Sequence, residues 1–168
     1  IYKINILLFE KTLYKILILI CIYLIVIRPS LLYLNFTYWI NFLFKSSQSI
    51  LLLLGFEAKV ESFYLIGTNG SIFMTKSCLG FKTMFLFAAI VYLTGNNRRT
   101  QFLFIISGLL FLNLVNVLRF VLLFIHIQKH GGYALAMDLH TLYTSIIYFF
   151  VFVLWVIWYE KYSDVILN

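Results

Sequence analysis

The length of the uninterrupted apolar runs constrains this chain more than any other feature. Four runs approach the ~20 residues that a helix needs to cross the hydrocarbon core of a bilayer. They cover residues 13–34, interrupted by Arg28-Pro29; 79–95, which is short; 101–127, with Arg119 as its one formal charge; and 139–159, with none. Trp155, Trp158 and Tyr159 mark an interface at the end of the last run. Hydrophobic residues fill 63% of the 168 positions and charged residues only 11%, where a soluble domain carries about a quarter. That is more apolar surface than a core of this size can bury, so lipid must cover the rest. Lys and Arg outnumber Asp and Glu by 13 to 6. The basic residues stand singly or in pairs at the ends of apolar runs, a pattern that anchors and orients membrane helices and does not form a nucleic-acid face. The first run leads into Arg28-Pro29-Ser30 with no small-residue cleavage site, so it reads as a span and not as a cleaved signal peptide. The first residue is Ile1 and not Met, and a start further upstream is compatible with the sequence.

Residues 35–56 mix aromatics with Lys45, Ser46, Ser47, Gln48 and Ser49. This suits a helix lying in the interface, with a short membrane hairpin as the alternative. Next, Val60 to Ile66 and Ser71 to Thr75 flank Gly67-Thr68-Asn69-Gly70. An Asn-Gly pair between two β-prone runs predicts a hairpin. Arg98-Arg99 in the tight connection between the second and third runs should be cytoplasmic. Lys3, Lys11 and Lys15 place the N-terminus on the same side, and Lys161 ends the last run there. The expected fold is therefore an all-α integral membrane protein of about four transmembrane helices, with an outward-facing interfacial helix and a small β-hairpin. It forms a single polytopic domain over residues 1–168, with spans at about 13–34, 79–95, 101–127 and 139–159 and an extracytoplasmic segment at about 35–78.

This topology brings three residues to one membrane surface. Cys78 precedes the second span at its outer end. Arg119 lies ~27 Å along the third helix from Gln101, near the outer boundary of a ~30 Å core. His140 opens the fourth span, again at the outer face. Cys78 stands at a helix start, where the positive end of the dipole favours an anion; Lys82, one turn on, either adds to this or reaches for the headgroups. An ionisable group inside a span is a functional candidate by default, and Asn116 and Asn113 are placed to orient the Arg119 guanidinium. Asp138 suits an N-cap, while His126 and His130 are rival bases. Cys21, at mid-span, reads as a small buried hydrophobe too far in depth from Cys78 for a disulfide.

Ser77-Cys78-Leu79-Gly80, Asn116-Val117-Leu118-Arg119 and His140, on three successive spans after an outward segment, resemble the exosortase/archaeosortase family, most of all its short members. Leu79 departs from the small or polar residue common between Cys and Gly in that family. The resemblance implies processing of exported proteins that carry a C-terminal motif, a membrane span and a basic cluster, with transfer to an acceptor after cleavage. It places the enzyme in the cytoplasmic membrane of a prokaryote, facing outward. In this reading Cys78 is the nucleophile, His140 the general base and acid, and Arg119 the oxyanion stabiliser, with Asn116 and Gly80 in support. No cofactor is implied, and one His with one Cys falls short of a zinc ligand set, so no metal is expected. The partners are tailed exported proteins and membrane lipid, with no nucleic acid. Two other readings are a non-catalytic membrane assembly partner, with Arg119 as polar glue, and a small anion carrier.

Overall fold

Pro29 shapes the first helix. A computed structural model describes residues 13–33, 35–95, 97–131 and 133–162, with the backbone alone for 31, 32, 76, 77 and 133–141. Helix α1 (residues 13–22) passes through a π-helical turn, Tyr23–Ile27, into α2, Arg28–Tyr33, with right-handed helical backbone at both junctions. Proline has no N–H, and its ring crowds the carbonyl four residues back. Widening the preceding turn relieves the crowding, and the Arg28 N–H accordingly reaches the Tyr23 carbonyl. The Ser30 hydroxyl donates to the Val26 carbonyl at 2.6 Å. No residue of Leu13–Ser30 is buried, and this includes Cys21, which is exposed where the sequence suggested a buried hydrophobe. The first helix meets the later helix Phe81–Thr94 through Tyr23 of the π turn, whose ring lies 5.5 Å from that of Phe85, and through Lys15 of α1, whose Nζ lies 5.5 Å from the centre of the Tyr92 ring.

Residues 35–56 form one helix and not a hairpin. Helix α3, Thr37–Leu53, buries Ile40, Leu43, Phe44, Ser47 and Leu51 along one stripe, the spacing of an amphipathic helix. Asn35 starts it, its side-chain oxygen accepting from the Thr37 backbone N–H at 2.9 Å and from the Thr37 hydroxyl. Gly55 ends it in the left-handed region (φ 80). The Phe56 N–H returns to the Leu51 carbonyl and the Gly55 N–H to the Leu52 carbonyl, the two bonds of a Schellman cap.

The β segment carries one strand more than a hairpin. Strands β1, Lys59–Glu61, β2, Tyr64–Ile66, and β3, Ser71–Phe73, form an antiparallel sheet in the order β1-β2-β3. The chain turns at Ser62-Phe63, with Ser62 at φ 51. Leu65 and Ile72 face inward and join a core with Leu43, Phe44, Phe120 and Phe124.

Helix α4, Phe81–Thr94, is about 21 Å long by its 14 residues. Helix α5, Arg98–His130, has 33 residues and is about 50 Å long. Helix α6, Tyr133–Tyr162, starts five residues before Asp138, so Asp138 is not its N-cap as the sequence suggested. Leu13–Ser30, Arg98–His130 and Leu142–Tyr162 are long and apolar enough to cross a membrane, and α4 is a shorter apolar helix. Helix α5 is the axis of the structure, packed against α3, α4, α6 and β3.

At one end of α5, Gln101 is buried and its amide donates to the Val91 and Tyr92 carbonyls at 3.2 and 3.1 Å, closing the last turn of α4. Trp158 of α6 donates to the Thr94 hydroxyl at 3.1 Å. Midway, Gly108 lets α4 approach closely, since a Cβ there would lie 2.3 Å from the Phe87 ring. Gly108→Ala should therefore lower stability by about 1–3 kcal/mol through overpacking, read as a fall in detergent thermal unfolding. Adding Phe87→Leu should restore part of the loss, and a Gly108→Ala protein as stable as the parent would contradict this packing.

Candidate active site

Cys78 sits in a 3-10 turn, Lys76–Leu79, between β3 and α4, and not in the first turn of α4 itself. Thr75 enters the turn extended (φ −93, ψ 161) and Gly80 leaves it in the left-handed region (φ 77, ψ 4). A side chain in that region costs roughly 1–2 kcal/mol, which is what demands glycine at 80. Space does not demand it, because a Cβ there would lie 3.6 Å from Asn116 Nδ2, an ordinary contact.

A 3-10 turn eclipses residues i and i+3. Thr75 Oγ1 thus lies 3.2 Å from Cys78 Sγ, and the Cys78 N–H donates to the Thr75 carbonyl at 3.0 Å. Thr75 escaped the sequence reading, although the Thr-x-x-Cys spacing before a glycine was its signal.

Helix α5 supplies the other half of the site. The buried Asn116 amide donates to the Cys78 carbonyl at 3.4 Å and the Leu79 carbonyl at 3.5 Å. Asn116 therefore holds the backbone of the turn, where the sequence suggested that it orients the guanidinium. Arg119, one turn further along the same face, is 5% exposed, and Cys78 is 6% exposed. The Arg119 guanidinium lies within electrostatic reach of the Cys78 thiol. Its central carbon lies 5.2 Å from the centre of the Phe120 ring. Asn113 is turned toward α4, donating to the Leu109 carbonyl at 3.0 Å and the Met84 sulfur at 3.8 Å. Lys82 is exposed on α4. Both cysteines are free.

His140 lies on the backbone of α6, seven residues into the helix, and its side chain is outside the described residues. Counted from the α5–α6 connection, Arg119 is about 16 Å along one helix and His140 about 10 Å along the next. His126 and His130 stack on each other with centroids 4.4 Å apart, near the C-terminal end of α5. His126 is two turns, about 10 Å, beyond Arg119.

Gln128 also escaped the sequence reading. Its side-chain oxygen accepts from the Asn69 N–H at 2.8 Å and the Thr68 hydroxyl at 3.1 Å, and its amide donates to the Gly70 carbonyl at 3.1 Å. These bonds clamp the β2–β3 turn to α5. Two cavities flank the site and meet at Phe36. One, of about 410 Å³, runs beside Thr75 between β3 and the start of α3. The other, of about 450 Å³, is strongly apolar and lies among the π turn and α2 of the first helix, the start of α3, α4 and α5, with Val26, Trp39 and Asn113 in its wall. A cation beside a thiol favours the nucleophilic thiolate and offers donors to an oxyanion.

A protein-family model described as transmembrane exosortase matches residues 3–159. No curated protein and no solved structure matches the chain.

The left-handed Gly80 gives a test of the turn. Gly80→Val should cost about 1–2 kcal/mol, and Gly80→Asn less, since asparagine visits that region more readily. Equal melting temperatures for the two variants in detergent would show that the turn does not depend on this backbone conformation.

Proposed function

The chain belongs to the transmembrane exosortase family, and from that premise we propose that it is a membrane-embedded cysteine transpeptidase acting on the C-terminal sorting signals of exported proteins. Membership of the family supports a membrane transpeptidase role in protein sorting. The observation that supports the finer reading is the placing of a buried guanidinium, Arg119, one turn from Asn116, which bonds the backbone of the turn carrying the buried Cys78 thiol.

The Cys78 sulfur attacks the scissile carbonyl carbon, and His140 takes the thiol proton. Arg119 N–H groups hold the oxyanion as the carbonyl becomes tetrahedral. The C–N bond then breaks, His140 returns the proton to the departing amine, and a thioester remains on Cys78. Water, or an acceptor amine or hydroxyl, attacks the thioester and releases the thiol. Asn116 and Gly80 position the nucleophile by fixing the Lys76–Leu79 turn, and touch no reacting atom.

The charge pattern supports an outward-facing site in a prokaryotic cytoplasmic membrane. Arg98 and Arg99 are exposed at the start of α5. The Phe104 and Tyr162 rings lie 5.6 Å apart, which puts Lys161 at the same end. Basic residues favour the cytoplasmic side, and the sheet and Cys78 lie toward the other end of α5.

Cys78→Ala should abolish processing of a tailed substrate while the protein still inserts, and Cys21→Ala should process normally. Arg119→Lys should insert normally yet turn over roughly 10²–10³ more slowly, because a flexible ammonium does not reproduce a fixed fork of donors. Single-turnover cleavage in matched membranes measures both, and Arg119→Lys within a few-fold of the parent would remove Arg119 from the catalytic set. For the base, His140→Ala should be inactive, and His130→Ala, on the exposed end of α5, should be active. The opposite pattern in the same assay would move the base to α5.

A further inference from the structure

We infer that the open edge of β3 is a binding site for an extended stretch of substrate polypeptide, which adds to the sheet as a fourth strand and is led by it to Cys78. The inference rests on the reading of Cys78 as the nucleophile and names how the substrate backbone is held.

The register decides which backbone groups are available. The Gly67 N–H donates to the Gly70 carbonyl at 2.9 Å and the Met74 N–H to the Phe63 carbonyl at 2.9 Å. Between them, Leu65 faces Ile72, with Ile66 opposite Ser71 and Tyr64 opposite Phe73. Opposed pairs in an antiparallel ladder alternate between bonded and non-bonded. Gly70, Ile72 and Met74 therefore turn their N–H and C=O groups to β2, while Ser71 and Phe73 turn theirs to the other side. Among the described residues, the order β1-β2-β3 puts no strand on that side, and neither Ser71 nor Phe73 makes a backbone bond there. The cavity of about 410 Å³ adjoins the end of β3, with Phe63, Phe73, Met74 and Thr75 on one lip and Asn35, Phe36 and Ile40 on the other.

An edge with alternating donors and acceptors matches one partner chemistry, another extended backbone. A lipid chain in the cleft would cover these polar groups without bonding them, which costs free energy. The rings of Phe36, Phe63 and Phe73 line the cleft and offer apolar walls to the side chains of an added strand. β3 runs directly through Thr75 into the turn that holds Cys78, so a strand paired with Phe73 continues toward the thiol.

Proline tests this cleanly, because it is tolerated on an edge strand where the lost N–H points outward. Randomised heptapeptides with a central photoreactive benzoylphenylalanine are irradiated with the full-length Cys78→Ala protein in detergent, and the adducts are mapped by mass spectrometry. Cross-links should fall on the two lips of the cleft. Phe73→Pro should reduce them about tenfold, as loss of a backbone hydrogen bond and steric block of its neighbour predict, and Phe73→Leu should retain them. A peptide pool N-methylated at alternate residues should lose the same amount on the unaltered edge. If Phe73→Pro does not fold, Ser71→Pro and the N-methylated pool read the same contact. The inference is overturned by no cross-links in the cleft, by cross-links indifferent to proline and N-methylation, or by cross-links joining β3 of two protein copies. None of these readouts uses the Cys78 sulfur, so an inert Cys78 would sink the proposed function and leave the strand result standing.

Discussion

A backbone carbonyl or N–H away from water must find a partner, and in this protein α5 supplies partners to three other elements. Gln101 closes the last turn of α4, Asn116 holds the carbonyls of the turn before it, and Gln128 clamps the β2–β3 turn. All three are buried amides on one helix that otherwise reads as a membrane span. An amide serves well here because it donates and accepts without a net charge to desolvate. The consequence is positional: the spacing of these residues along a rigid rod fixes where α4 begins and ends and where the sheet sits.

That arrangement explains how a mobile chemical group comes to lie against a buried cation. Cys78 is on a four-residue turn, a kind of segment whose backbone has more freedom than a long helix. Two features remove that freedom. Gly80 sets the backbone direction out of the turn, and Asn116 bonds the carbonyls at its end. Arg119 stands one turn from Asn116 on the same rod, so the amide and the guanidinium reach the same turn together. A thiol positioned relative to its electrostatic partner by a single helix is held more closely than one positioned by a loop.

The sequence made the membrane helices legible because apolar run length is a one-dimensional property. The placing of Arg119 on the same stretch of α5 as Asn116 was legible too, since helical rise fixes distance along a helix without any knowledge of packing. What packing decides was not legible. Asn116 was singled out, but its partner turned out to be backbone and not the guanidinium. The third strand was hidden because Ser62-Phe63 carries none of the Gly, Asn or Asp residues that announce a two-residue turn, and residues 60–66 read as one run. Gln128 looked like an ordinary polar residue at the end of a span, and its three bonds to a turn far away in sequence leave no local trace. Asp138 looked like a cap because the polar-to-apolar change falls there, whereas α6 starts earlier, at Tyr133.

The first helix stands apart from this network of fixed partners. Among the described residues none of Leu13–Ser30 is buried, and the ring contacts to α4 come from Lys15 and Tyr23. Substitutions along α1 are therefore filtered by how well each side chain dissolves in hydrocarbon, and hardly at all by shape. Over evolutionary time such a segment should drift freely among Leu, Ile, Val and Phe while α5 stays fixed at Gln101, Asn116, Arg119 and Gln128. Two helices of similar hydropathy in one small protein would thus accumulate change at very different rates, and the slow one would mark the machinery.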